Sequence, residues 1–154
     1  MPYSTLTELK DLTSVLETVR DADLIEMIAS HGDYVTAFRK SFEESENCIT
    51  LWGDQNEILG VLGINTVFNN REAYGSPWFV STTALEKYGF WFVRKTKFLV
   101  KFWVERYPYL MNYVDAEYKQ AHKWLQLLGF DIQQHTPPLI FGGREFYQAL
   151  KVNE

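Results

Sequence analysis

Tyr109–Ile132 reads YLMNYVDAEYKQAHKWLQLLGFDI. Leu110 to Val114 is a short β-like run, and Asp115 breaks it. An amphipathic helix follows over about 116–128, and Gly129-Phe130 stops it. A further strand is expected near 130–135. Strand, helix, glycine stop and strand together make an α/β unit with definite punctuation.

Upstream, Pro108 forces the chain out of helix. The longest helix is expected before it, from roughly Phe90 to Arg106. Phe92, Leu99, Trp103 and Tyr107 share one face, and Arg94, Lys97, Lys101 and Glu105 another. Phe98 and Phe102 are also expected in the core. Thr83 and Glu86 have capping-box spacing ahead of a short helix at 84–88, which Gly89 interrupts. Three strands are expected before that: 48–52, 58–68 and 76–82, with Pro77 near the start of the third. Gly60 and Gly63 within the second imply a bulge or a close backbone approach. Residues 6–19 have helical spacing, with a first strand at 13–19 as the alternative. Asp21 or Asp23 can cap a following helix, with Leu24, Ile25 and Ile28 as its apolar stripe and His31-Gly32 as its end. Asp33 can cap another, with Val35 and Phe38 inside. Downstream, Gly142-Gly143 precedes a last strand at 145–150. The fold expected is one α/β domain over residues 1–154, a mixed, mostly antiparallel sheet with helices on both faces.

Composition narrows the function. Aromatic residues make up 16% of 154 residues, so the core is expected to be built from rings. Cys48 is the one cysteine, which excludes an internal disulfide and a cysteine-rich zinc site; it reads as a buried, inert thiol. His31, His122 and His135 lack metal-ligand spacing and read as surface or loop residues. The first residues lack the features of a signal peptide. The longest apolar run, Ile58 to Phe68, is strand-sized and far short of a membrane span, so an intracellular protein is expected. The net charge of −5 disfavours non-specific nucleic-acid binding, although Arg94, Lys95, Lys97, Lys101 and Arg106 form a local basic block.

The element order resembles the GNAT fold of the acetyl-CoA-dependent N-acetyltransferases from about residue 20 onward. Ala121, Leu128, Gly129 and Phe130 match the family's closing helix. Tyr118 stands where that pattern has Asn, and Leu125 where it often has a Tyr general acid. After the strand at 76–82 the family's glycine-rich pyrophosphate turn is reduced to Gly89. Within the superfamily the chain looks similar to GNAT-like proteins of short-tailed phages described as internal virion proteins. Trp78-Phe79-Val80-Ser81-Thr82, the basic helix and Asn112-Tyr113-Val114 carry that likeness.

The resemblance implies acetyl-CoA as a cofactor. Its pantetheine arm would pair with backbone groups of the strands at 76–82 and 110–114, with Phe79, Val80 and Ser81 in contact. Its phosphates would lie at Gly89-Phe90, near Arg94 and Lys95, where a helix N-terminus favours anions. Acyl transfer to an amine needs a base and an acid. Asp115 is the candidate base, its alternative being a helix cap. Tyr118 is the candidate acid, its alternative a packed aromatic, and Tyr113 has a weaker claim. The basic face of the long helix could bind phosphate or be solvated surface. The second function implied is non-enzymatic, a virion component or a binder of a host protein, placed in the host cytoplasm or the virion.

Overall fold

The computed structural model describes residues 1–23, 25, 34–45 and 48–153. Four α-helices, one 3₁₀ helix and eight strands are delimited among the described residues. The first strand, β1 (Tyr3–Leu6), precedes α1 (Leu9–Glu17) and α2 (Tyr34–Glu44). Then come β2 (Ile49–Trp52), β3 (Ile58–Asn69), β4 (Glu72–Ser81) and a 3₁₀ helix (Thr83–Tyr88). The chain continues through α3 (Gly89–Val104), β5 (Tyr109–Asp115) and α4 (Lys119–Leu127). It closes on β6 (Asp131–Ile132), β7 (Leu139–Phe141) and β8 (Arg144–Val152). The strands form one sheet in the order β1-β2-β3-β4-β5-β8-β6, with β7 also on β8. β4 and β5 are its parallel pair; the other pairings are antiparallel.

The expected α/β architecture is present, and two apolar clusters account for its layers. Val61 and Leu62 are consecutive in β3 and belong to different clusters, as strand alternation requires when both faces are covered. Leu62 packs with Phe92 and Val100 of α3 and with Leu110 and Val114 of β5. Val61 packs with Leu12 and Val15 of α1, Phe38 of α2 and Cys48. Burial pushes the Cys48 thiol pKa up, which keeps it protonated and unreactive.

Local chemistry fixes the ends of these elements. The Glu8 N–H donates to Asp11 Oδ2 at 2.9 Å, closing a capping box on α1, and the same oxygen accepts from Thr50 Oγ1 at 3.0 Å. The start of α1 is thereby tied to β2. Within residues 6–19 the helix is Leu9–Glu17, with no strand at 13–19, and Leu6 ends β1 ahead of it. In β3, a Cβ on Gly60 would stand 2.7 Å from the Val80 carbonyl oxygen. The glycine serves a close approach and also borders a bulge: Leu51 faces Gly60 and Trp52 faces Ile58, so Leu59 is the extra residue of β3.

Several boundaries and burials differ from expectation. β4 begins at Glu72, four residues early, because Asn70 takes a left-handed turn (φ 57°) and the hairpin zips from Asn69↔Glu72. Thr82, not Thr83, caps the 3₁₀ helix, accepting from the Ala84 N–H. The strand expected over 130–135 is only Asp131–Ile132, and Gly142-Gly143 is the β7–β8 turn. Val35, Phe98 and Phe102 are exposed, because α2 and α3 turn those positions away from the sheet. His122 is buried rather than on the surface; its Nε2 pairs with the Asp115 carbonyl at 2.9 Å. The expected cap at Asp33, the stripe residues Leu24 and Ile28 and the helix end at His31-Gly32 lie outside the described residues. Among the described residues no helix is long and apolar enough to cross a membrane.

Candidate functional site

The parallel pair β4 and β5 meets at a single register point, Gly75↔Leu110. Gly75 makes that contact possible: a Cβ there would lie 2.8 Å from Leu110 and 2.7 Å from Ile64. Beyond it toward their C-terminal ends the strands separate. Strand alternation turns the backbone groups of Pro77, Phe79 and Ser81 toward the gap. Their partners are not another strand. Asn112 Nδ2 donates to the Pro77 carbonyl at 2.5 Å, and Asn112 Oδ1 accepts from the Tyr113 N–H at 2.7 Å. One carboxamide thus stands where a peptide group would join the two strands. At the far end, the Ser81 N–H and hydroxyl both donate to Asp23 Oδ2, at 2.8 and 2.6 Å. The Ser81 carbonyl accepts from the Arg20 N–H at 3.0 Å. Between these two occupied positions Phe79 has no strand partner on its β5 side. Backbone groups inside a protein are nearly always paired, so a strand edge with no strand partner among the described residues is a place for a ligand.

A partly enclosed cavity of about 140 Å³ lies at this gap. Pro77 to Phe79 and Asn112 to Val114 form its strand side, and α3 and α4 supply the opposite wall. Phe79 stacks on Phe92 at 4.8 Å between centroids, and Trp124 meets Phe92 edge-on at 5.1 Å. Three rings from three elements thereby fix the wall's shape.

One end of the cavity is polar. Asp23 and Tyr118 both line it. Burial pushes the Asp23 carboxyl pKa up from its ordinary value, outweighing the two bonds from Ser81 that pull it down. Tyr118 is only 8% exposed, and its hydroxyl has no hydrogen-bond partner of acceptable geometry among the described residues. The hydroxyl is near enough to Asp23 and Ser81 to feel both. Burial, and then the Asp23 charge, push its phenol far above the ordinary tyrosine value, with Arg20 opposing. Outside this pair, the Arg20 guanidinium lies 5.3 Å from the Trp124 ring centroid. Its Nη2 donates to Gln120 and sits 3.8 Å from Glu86, while its Nη1 is buried without a partner among the described residues. Two orphaned polar atoms in one place are unusual, since each buried orphan costs about 1–3 kcal/mol.

The residues singled out in the sequence divide. Tyr118, Tyr113 and Phe79 line the cavity. Ser81 lies at its polar end through Asp23, whereas Val80 packs into the cluster with α1 and α2. Asp115 is not among the lining residues. Its Oδ2 accepts from Arg144 Nε at 2.5 Å and its Oδ1 from the Glu117 N–H at 2.9 Å. Its carbonyl accepts from the Tyr118 N–H, so Asp115 holds the turn that aims Tyr118. Gly89, Phe90, Arg94 and Lys95 lie outside the lining, with Phe90 92% exposed. Gly89 makes no phosphate-type turn: at φ −54° and ψ −45° it is ordinary helix, running straight on from the 3₁₀ helix. A Cβ there meets nothing within 4 Å. Gly89→Ala is therefore expected to raise stability by about 0.5–1 kcal/mol, read as a small rise in Tm.

Arg20, Asp23 and Asn112 were not singled out as site residues. Asp23 reads locally as a helix cap, and its bond to Ser81 spans 58 residues, a pairing that short-range spacing does not encode.

No protein-family model and no curated protein sequence matches the chain. Solved structures do. A GNAT-family acetyltransferase from Bacillus anthracis superposes with a TM-score of 0.72 over 99% of this chain and 95% of its own, at 13% identity. The fold is the GNAT fold. A GNAT-family acetyltransferase from Streptococcus pneumoniae gives 0.69 over 100% of both chains at 13% identity. Spermidine N-acetyltransferase from Vibrio cholerae, solved with CoA and spermine, gives 0.69 over 99% of this chain and 95% of its own at 10% identity.

Proposed function

We propose that this protein is an acyl-CoA-dependent N-acyltransferase whose donor binds in the β4/β5 gap. The observation that carries the reading is the edge of β4 at Phe79, without a strand partner on its β5 side among the described residues, beside an apolar cavity whose polar end holds the Tyr118 hydroxyl, which has no hydrogen-bond partner among the described residues. One N–H and one C=O complement one secondary amide, the group a pantetheine arm presents. When bound, an acyl-CoA supplies a thioester carbonyl that an amine attacks, so that a C–N bond forms and the C–S bond breaks. Asp23, with its raised pKa, takes the proton that the attacking amine gives up. Once Asp23 is protonated its charge no longer opposes ionisation of Tyr118, so Tyr118 passes its proton to the departing sulfur and takes the one Asp23 received from the amine. Asp115 and Arg144 set the approach of Tyr118 by fixing the turn before α4. Trp124 and Arg20 close the polar end against water.

The second reading is a GNAT-fold protein without turnover, of the phage virion-associated or host-protein-binding kind. Its support is specific: Asn112 already bridges the gap, Asp23 and Arg20 occupy the Ser81 backbone, and Gly89 is plain helix.

Thermal unfolding with acyl-CoA separates the two readings. A ligand at a hundredfold excess over its Kd adds about 2.7 kcal/mol. For a chain of this size that corresponds to a Tm rise of roughly 5–10 °C. No rise at millimolar acyl-CoA, together with no ligand density in soaked crystals, would exclude the donor site and leave the second reading.

A further inference from the structure

One side of α3 is buried and the other is bare. Phe92, Thr96, Val100 and Trp103 are buried. The opposite arc carries Phe90, Arg94, Lys97, Phe98, Lys101 and Phe102, all exposed. Phe90, Phe98 and Phe102 are 92%, 73% and 48% exposed, and clustered bare rings mark a surface that meets something. None of the three belongs to an apolar cluster or lines the cavity.

Charge is gathered on the same arc. No carboxylate stands between Lys87 and Val104, although the chain carries −5 overall. Lys97 and Lys101 are one turn apart, as are Phe98 and Phe102, so ammonium groups and rings run in adjacent rows. The exposed Arg106 continues the face, its guanidinium 5.0 Å from the Phe102 ring centroid. The carboxylates of α1 and α2 lie across the sheet, farther than the roughly 8–10 Å over which exposed charges act in physiological salt.

This arrangement selects among anionic partners. The rings project from a convex helix, whereas a single-stranded nucleic acid is held in a groove that tracks its backbone. A lipid surface needs no groove: protruding rings enter its acyl boundary, and anionic headgroups meet the cations beside them. Lys97 and Lys101 suit that geometry, because a lysine stem lies along apolar surface and carries its ammonium back to headgroup level. From Phe90 to Phe102 the face runs about 18 Å along the helix axis, enough to seat α3 flat on a plane.

We propose that the outer face of α3 docks the protein on an anionic lipid surface, with Phe90, Phe98 and Phe102 at the acyl boundary and Arg94, Lys97 and Lys101 among the headgroups. This face is separate from the β4/β5 gap, which α3 lines with its buried side.

The test is co-sedimentation of the whole chain with vesicles of phosphatidylcholine alone and of phosphatidylcholine with about one-third phosphatidylglycerol. The anionic vesicles should bind at least about tenfold more tightly. Lys97→Gln with Lys101→Gln should weaken that binding about 25-fold, roughly fivefold for each cation. Phe98→Ser with Phe102→Ser should weaken it at least about tenfold. Both pairs replace exposed side chains and should keep the native far-ultraviolet spectrum; Phe90→Ser, at the most exposed ring, replaces the second pair if it does not fold. No preference for anionic vesicles, or a preference that either pair of substitutions leaves intact, would overturn the proposal. Tighter retention of a single-stranded oligonucleotide, lost in the same variants, would overturn it and assign the face to nucleic acid. An oligomer in lipid-free solution that the phenylalanine substitutions dissociate would overturn it and assign the face to a second copy of the chain.

Discussion

Tyr118→Phe should lower kcat by about 10²–10⁴-fold while leaving the protein more stable than the wild type. The two effects have one origin. The hydroxyl is buried and without a hydrogen-bond partner among the described residues, so its removal relieves a desolvation cost of about 1–3 kcal/mol. The ring, which is most of the buried surface, remains. In a residue kept only for packing, stability would rise and nothing else would change. In the proposed proton donor, release of free thiol from an acyl-CoA in the presence of an amine falls steeply, with acyl-CoA binding little altered. The pH profile adds a constraint. The Tyr118 pKa is raised well beyond the ordinary tyrosine value, so Tyr118 does not set an alkaline limb in the working range. A variant that keeps full turnover would remove Tyr118 from the chemistry.

The architecture was legible because it rests on local patterns. The Gly129-Phe130 stop, the break at Asp115 and the β-branched and aromatic runs at 48–52, 58–68 and 76–82 each act over a few residues. What failed locally failed for identifiable reasons. β1 is an edge strand with little burial, so its four residues carry no apolar alternation. Phe98 and Phe102 were expected in the core because they are large and apolar. The helical face they share points outward, and composition does not encode which face of α3 meets the sheet. His122 went inside because a backbone carbonyl, Asp115 O, satisfies it. That partner is seven residues away and carries no side-chain signature.

The candidate site could be approached from the sequence only through the resemblance. The resemblance implies a gap between the strands at 76–82 and 110–114 with Phe79, Val80 and Ser81 on it, and Val80 instead packs toward α1 and α2. The resemblance did not show how the gap is filled. Asn112 bridges it with a side-chain amide, and the segment carrying Arg20 and Asp23 folds across from a different part of the chain to meet Ser81. These are contacts between residues 35 and 58 apart in sequence, decided by packing rather than by periodicity. The same distance in sequence explains why Asp115 drew attention. It lies beside Tyr118 in the chain, whereas the carboxylate that shares the cavity with Tyr118 is Asp23.

Asp23→Asn carries the other large effect, with opposite signs for activity and stability. The amide retains an oxygen that can accept both bonds from Ser81 but cannot take a proton from an amine, so kcat is expected to fall by about 10²–10⁴-fold. Stability should rise at neutral pH. The Asp23 pKa is raised in the folded state, so the native protein binds a proton that the unfolded chain has already released. Whatever stability that protonation confers is fully present below the unfolded value of 3.8 and is lost as pH rises through the higher folded value. At neutral pH the wild type therefore holds a buried charge at a cost, and the asparagine variant does not. The Tm difference between variant and wild type should be smallest near pH 3.8 and widen toward pH 7. In the wild type, loss of activity on acidification should set in above the ordinary carboxylate range, because the base is then already protonated. A Tm difference independent of pH would mean that Asp23 is not held at a raised pKa. A raised Tm with full activity would assign its charge no part in the transfer.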